Sequence, residues 1–100
     1  FDLANYAKKV FGMFSGEERT VKMLCENNLA GAMIDRFGRD VMMHPVDEEH
    51  FSVSAAVNVS PQFFGWLVAL GKGVVIESPE DVREEFGGWM RAVMREYGNE

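Results

Sequence analysis

The stretch from His50 to Gly71 changes its hydrophobic period at Ser60, so the chain must combine strands with helices. Before Ser60, apolar residues alternate as in a strand with one buried face: Phe51, Val53, Ala55, Val57 and Val59. After Ser60, they recur as on one face of a helix: Phe63, Trp66, Leu67 and Leu70. Ser60 is a favoured cap, Pro61 suits the first helical position, and Gly71 is typical of a helix end. We therefore predict a strand from His50 to Val59 followed directly by a helix.

Three further strands are predicted at Arg19–Glu26, Val41–Val46 and Gly73–Glu77, where apolar residues alternate or cluster in short runs. The acidic turn Asp47–Glu49 joins the second strand to the third. The predicted register of this hairpin pairs Val46 with His50, Pro45 with Phe51, Met43 with Val53 and Val41 with Ala55. Because Pro45 lacks a backbone donor, the second strand is expected at an edge of the sheet.

Three further helices follow from apolar spacing and cap residues. One begins after Asn27 or Asn28, ends at Gly38 and carries the stripe Leu29, Ala30, Met33, Ile34 and Phe37. A terminal helix begins with Ser78 as its cap and Pro79 in its first position. Its stripe is Val82, Phe86, Trp89, Met90, Val93 and Tyr97. A short N-terminal helix is indicated by Leu3, Tyr6, Ala7, Val10 and Phe11.

The elements therefore follow as a helix, a βαββαβ unit and a helix. Such a unit is the ferredoxin-like α+β arrangement, an antiparallel sheet with two helices on one face. Gly87 and Gly88 depart from the helical pattern, since each costs about 1 kcal/mol relative to alanine. Either the terminal helix breaks there or another backbone approaches it, and we favour close packing within the chain over contact with a partner.

Composition limits the functions that the chain can have. One hundred residues are enough for one domain, and a net charge of −6 disfavours unspecific attraction to nucleic acid or anionic lipid. No apolar run is long enough to predict a membrane span. Cys25 is the single cysteine, so an internal disulfide is excluded and a cytoplasmic location is expected.

Several short motifs occur in an order that resembles a known family. They are Asp35-Arg36-Phe37-Gly38 leading into Val41, His50-Phe51, Ser60 to Leu67 followed by Leu70-Gly71, Val75-Ile76, and Pro79. Together they resemble the C-terminal extension (WCX-type) of WYL-domain helix-turn-helix transcriptional regulators. Residues 1–16 resemble the exit segment of the preceding WYL domain, and residues 17–100 the extension domain itself.

The resemblance implies a parent protein with an N-terminal winged helix-turn-helix, a ligand-sensing WYL domain of Sm-like barrel type, and this extension. We expect a non-catalytic module that serves dimerisation and effector sensing. The expected partners are the rest of the parent chain, a second copy, and DNA through the N-terminal domain, which these residues do not contain. A nucleotide or nucleic acid is the effector that the resemblance implies for the WYL domain. No cofactor and no membrane contact are expected.

Arg36 and Arg39, on either side of Gly38, form the first candidate contact site. They would present two cations to a phosphate or nucleotide. Alternatively, they lie in solvent at the helix end, donate hydrogen bonds to its last carbonyls and pair with Asp35 or Asp40.

His44 and His50 form a second candidate contact on the predicted hairpin, near its acidic turn. Two histidines without a third placed ligand are more often ordinary hairpin residues, so no metal site is predicted.

Met42 belongs to a third candidate surface, the sheet face turned away from the two covering helices. The apolar residues predicted there are Leu24, Met42, Val46, Ala56 and Val75. We expect such an apolar face to be buried by another part of the protein: the parent chain, the terminal helix or a second copy.

Two other functions are compatible with the predicted fold. One is a small-molecule-binding regulatory domain of an enzyme. The other is a small acylphosphatase-like hydrolase, but its arginine-bearing phosphate loop is missing after the first strand, where the chain reads Glu26-Asn27-Asn28. No nucleophile–histidine spacing or glycine-rich phosphate loop indicates catalysis. We therefore predict that the chain is not an enzyme.

Overall fold

The alternating stretch before Ser60 becomes the central strand of the sheet. In a computed structural model, which describes residues 17–98, β3 (His50–Val59) pairs with both β1 (Glu17–Glu26) and β2 (Met42–Pro45). The fourth strand, β4 (Val74–Ser78), pairs with the other side of β1. The order is β2-β3-β1-β4, and every neighbouring pair is antiparallel. Thus β2 and β4 are the edges, as Pro45 predicts for β2.

Three α-helices and two short 3-10 helices, Asn27–Leu29 and Gly71–Gly73, complete the described part of the chain. Helix α1 (Ala30–Phe37) connects β1 to β2, α2 (Pro61–Ala69) connects β3 to β4, and α3 (Glu80–Glu96) follows β4. The predicted α+β class is confirmed, and the elements follow in the predicted order. The predicted N-terminal helix and the proposed WYL exit segment, residues 1–16, lie outside the described residues.

Local signals place the ends of α1 and α2 correctly. The Ser60 hydroxyl accepts a hydrogen bond from the Phe63 amide at 3.3 Å, and Pro61 occupies the first helical position. Gly38 ends α1 with φ of 90° and donates its amide to the Ile34 carbonyl at 2.7 Å. A residue with a side chain is strained at this φ, so glycine is required there.

The other two predicted caps are wrong, because longer-range contacts determine what those side chains do. The Asn27 side chain donates to the Glu48 carbonyl at 2.8 Å, which ties the end of β1 to the β2–β3 turn. No side chain caps α1. Ser78 is the last residue of β4, and α3 begins at Glu80 without a capping side chain at Pro79.

The predicted hairpin register is confirmed by the pairs Pro45–Phe51 and Met43–Val53. It turns the apolar residues of β3 toward α1 and α2. The core contains these side chains of β1, β3 and β4 together with residues of all three helices: Val21, Met23, Cys25, Met33, Phe51, Val53, Ala55, Val57, Val59, Phe63, Phe64, Leu67, Ile76 and Val82.

The terminal helix packs against α2 instead of crossing the opposite sheet face. The Phe64 ring centre lies 5.2 Å from that of Phe86 and 5.5 Å from that of Trp89. Near the start of α3, Arg19 of β1 contacts both carboxylate oxygens of Asp81, at 2.9 and 3.2 Å. One end of α3 is therefore fixed to both α2 and the sheet.

Helix α3 runs without a break through Gly87 and Gly88. A Cβ placed on Gly88 would meet nothing within 4 Å, and one on Gly87 would first meet Arg91 Nη1 at 3.5 Å. The interpretation that these glycines allow close packing within the chain is therefore wrong for the described residues. The packing of α3 against the rest of residues 17–98 therefore does not require glycine at these two positions.

Candidate functional site

Arg36 lies in the last turn of α1, where its charge complements the helix dipole. Its guanidinium carbon is 5.7 Å from the centre of the Trp66 ring, within the range of a cation–π interaction. Trp66 is fixed in turn by Phe37, whose ring meets it edge-on at 5.5 Å, and by Phe63, which stacks at 6.2 Å. The aromatic cluster therefore holds the Arg36 side chain between α1 and α2.

A cavity of about 440 Å³ lies beside this arginine. It is lined by Arg36, Phe37, Ala56, Val57, Asn58, Ser60, Gln62 and Phe63. Its volume is within the range of small-ligand sites in proteins, about 300–1,000 Å³.

The cavity forms at the place where β2 ends and leaves part of β3 without a neighbour. The four residues of β2 pair with Phe51–Ser54 of β3, so the edge from Ala55 to Val59 has no strand partner on that side among residues 17–98. Ala56 and Asn58 of this edge line the cavity together with Arg36.

The chemistry of this lining fits an anionic ligand with a flat polar group. Arg36 supplies a positive charge and Gln62 an amide, while Phe37 and Phe63 supply apolar surface. The Ser60 hydroxyl is already used, because it donates to the Asn58 carbonyl at 3.2 Å and caps α2. Binding would thus depend mainly on Arg36.

Arg39 lies in the exposed turn after Gly38 and does not line this cavity. In residues 17–98, neither Arg36 nor Arg39 forms an ion pair, so the predicted alternative of pairing with Asp35 or Asp40 is not observed. The structure therefore separates the two arginines and assigns the cavity to Arg36.

The two candidate histidines lie around another depression, of about 500 Å³, near the β2–β3 turn. His50 Nδ1 is 2.9 Å from Oδ1 of Asp47, and this hydrogen bond raises the pKa of His50 and lowers the pKa of Asp47. His44 lies opposite Ser52 across the hairpin and is exposed. The residues from 17 to 98 contain no group of three or more His, Cys, Asp or Glu side chains arranged to hold a metal ion.

Met42 lies on the sheet face that α1 and α2 do not cover, opposite Ser54. It is 60% exposed, and Val46 and Val75 are 55% and 48% exposed. Leu24 is half-buried and Ala56 is exposed. We call the surface of Leu24, Met42, Val46, Ala56 and Val75 the outer sheet face.

Cys25 is fully buried in β1, and burial raises the pKa of its thiol to about 11. The thiol is therefore protonated at neutral pH and unreactive.

In the described part of the chain, none of the helices is both long and apolar enough to cross a membrane.

Sequence reasoning missed a groove between α2, β4 and α3, which is lined by Lys72, Arg83 and Gly87 among others. These residues come from separate elements, so no local pattern brings them together. The glycine pair in the terminal helix was a sequence signal for this site.

Comparison with known proteins gives one family match. A family model of the WCX domain matches residues 17–94, which include all four strands and nearly all of α3. The search of curated proteins finds no significant match.

Proposed function

Because the chain belongs to the WCX family, the C-terminal domain family of WYL regulators, we propose that it is a non-catalytic module of a WYL-type transcriptional regulator. In this proposal it joins two copies of the regulator and contributes to effector sensing in the cytoplasm. The family match over residues 17–94 is the observation that carries the proposal. It favours a regulator over the alternative, a small-molecule-binding regulatory domain of an enzyme.

The outer sheet face is the surface that we assign to dimerisation. Its exposed apolar side chains, among them Met42 and Val75, are turned away from the core. The side chains in the middle of this face are small, because β3 carries Ser52, Ser54 and Ala56 there, so the surface forms a shallow depression. A second copy related by a two-fold axis can place its own larger apolar side chains over these small ones and remove the apolar side chains from water.

Substitution on this face tests the assignment in the full-length regulator. We expect Met42→Lys to shift the molar mass from light scattering from dimer toward monomer, because a charge would replace an apolar contact. Met94→Lys is the matched control: Met94 is also an exposed methionine, at 47%, but it lies on α3. A dimer that survives Met42→Lys and is lost in Met94→Lys would refute the assignment to the sheet face.

The Arg36 cavity is the place that we assign to effector contact. Its cation suits the phosphate of a nucleotide or nucleic acid, and the half-buried Phe37 ring suits a base; the ligand would reach the cavity from the WYL domain of the parent chain. This role requires no catalytic group.

The two arginines provide their own control, since they lie three residues apart and only Arg36 lines the cavity. In the full-length regulator, we expect Arg36→Gln to weaken the response of operator binding to effector, while Arg39→Gln leaves it close to wild type. Operator affinity is measured with and without a single-stranded oligonucleotide as the effector probe. Equal responses in wild type and Arg36→Gln would refute the role of this cavity.

A further inference from the structure

A groove of about 600 Å³ runs along the free edge of β4, between α3 and the C-terminal end of α2. Its lining includes three consecutive residues of the strand, Val74, Val75 and Ile76. Since successive side chains of a strand point to opposite faces, a groove that touches all three follows the edge of the sheet. No other strand in residues 17–98 pairs with this edge. We call this site the β4 groove.

The groove combines an apolar wall with basic charge. Phe86 and Met90 of α3 face the strand edge, and Met90 is 36% exposed. The ionisable residues of the lining are Lys72 and Arg83, both basic, although the net charge of the chain is −6. Lys72 precedes β4 and Arg83 lies in the first turn of the helix that follows it, so the two cations mark opposite ends of the strand.

Acidic residues lie near both cations. Arg83 also lines a neighbouring depression together with Glu80, Glu84 and Arg91. Glu26 lies beside Gly73, the residue after Lys72, since its Oε1 is 3.0 Å from the position of a Cβ on Gly73. Lys72 forms no ion pair in residues 17–98. Arg83 likewise forms none there, so both cations can still pair with an acidic ligand.

Gly87 keeps the groove wide. It lies in the groove wall, and an added Cβ would have only an ordinary contact, 3.5 Å to Nη1 of Arg91. Contacts within the described chain therefore do not require glycine there, although glycine in a helix is unfavourable. A large side chain at this position would stand at the α3 rim of the groove, where the groove meets the neighbouring depression of Arg91.

From these observations we propose that the β4 groove binds an extended segment of a separate polypeptide, which adds to the edge of the sheet as another strand. Its backbone pairs with β4, its alternate apolar side chains lie between β4 and α3, and an acidic residue lies near Lys72. Strand addition of this kind gains affinity from backbone hydrogen bonds and specificity from side-chain pockets.

The other possible occupant of the free edge is β4 of a second copy. In that case the full chain would be dimeric through this edge and would bind no peptide there, which would overturn the proposal.

The test is a selection from a phage-displayed library of random linear peptides on the immobilised full chain. We expect enriched peptides with alternating apolar residues and an acidic residue. These peptides are synthesised with a fluorophore, and their dissociation constants are measured by fluorescence anisotropy. The dissociation constant for Gly87→Met should be at least about tenfold higher than that for wild type. Lys72→Gln should also weaken binding.

Gly88→Met is the matched control, because Gly88 is the next residue of the same helix and does not line the groove. It should bind like wild type. Should Gly87→Met fail to fold, Val75→Lys at the strand edge is expected to give the same loss of binding. Failure to enrich any peptide, equal binding by Gly87→Met and wild type, or binding only of short aliphatic carboxylates would overturn the proposal.

Discussion

Replacement of Gly88 by alanine should stabilise the protein, although most substitutions in a folded domain destabilise it. Gly88 lies in the middle of α3, where glycine costs about 0.8–1 kcal/mol relative to alanine. The new Cβ would meet no atom within 4 Å, so no steric term opposes this gain. The free energy of unfolding should therefore rise by nearly the full difference in helix propensity.

For a domain of this length, 1 kcal/mol shifts the midpoint of thermal unfolding by about 4–8 °C. Circular dichroism melts and urea titrations of wild type and Gly88→Ala measure this shift. Gly65→Ala in α2 is a positive control, since its Cβ would also meet nothing within 4 Å. Gly71→Ala is the opposite control: φ of Gly71 is 79°, which strains any side chain, so this variant should lose stability.

A loss of stability in Gly88→Ala, with a gain in Gly65→Ala, would refute the reasoning. It would show that the backbone of α3 at Gly88 is contacted by a part of the protein beyond residues 17–98, or by a second copy. An unchanged midpoint in both variants would instead show that helix propensity contributes little in this fold.

Three further predictions concern the core, the thiol and the turn. Phe64→Ala should destabilise by about 3–5 kcal/mol in urea titrations, because Phe64 is 2% exposed and joins α2 to α3, whereas Val68→Ala, at a half-exposed position, should lose much less. Cys25, with a thiol pKa of about 11, should react with a thiol reagent at pH 8 only after unfolding; rapid modification of the native protein would contradict its burial. His50 should titrate above its usual pKa of 6.5 in proton NMR, and Asp47→Asn should lower that pKa. Since the pKa of His50 is raised and that of Asp47 is lowered, their contact stabilises the fold between the two folded-state pKa values. It is lost as pH rises through the pKa of His50 or falls through that of Asp47, and the same pH dependence of the urea midpoint in wild type and Asp47→Asn would contradict it.

The elements that depend on local chemistry could be predicted from the sequence. The change of period at Ser60 locates both β3 and α2, because one residue can end a strand and cap a helix through its own hydroxyl. Gly38 ends α1 for an equally local reason, its positive φ. The register of the hairpin follows from the need to keep one face of β3 apolar.

The elements that depend on distant contacts could not be predicted. Asn27 is chemically suited to cap a helix, but its side chain binds the Glu48 carbonyl, which the fold brings close from 21 positions away. The apolar stripe of α3 is real, but only its first half is covered: Val82 is buried, whereas Val93 and Tyr97 are 41% and 81% exposed. Periodicity reports which face of a helix is apolar and not what lies against it.

The candidate site shows the same division. The motif around Arg36 indicates a cation at a helix end. Which of the two arginines lies beside the cavity depends on the contact of Arg36 with Trp66, a residue of another helix. The β4 groove has no contiguous motif at all, because α2, β4 and α3 each provide one side of it. Only the unexplained cost of Gly87 indicated that α3 has a further constraint there.

The outer sheet face and the β4 groove meet at one residue, and this determines which variants can separate their functions. Val75 is 48% exposed among the apolar residues of the outer face, and it also lines the groove. Met42 lies on the opposite edge strand, and Gly87 lies on α3, so each belongs to one surface only. A change in dimerisation caused by Val75→Lys therefore cannot be assigned to either surface. If Met42→Lys lowers the dimer fraction without affecting peptide binding, and Gly87→Met does the reverse, the two surfaces act independently. If each variant changes both measurements, an incoming strand at β4 alters the contact between the two copies, with Val75 as the physical link between them.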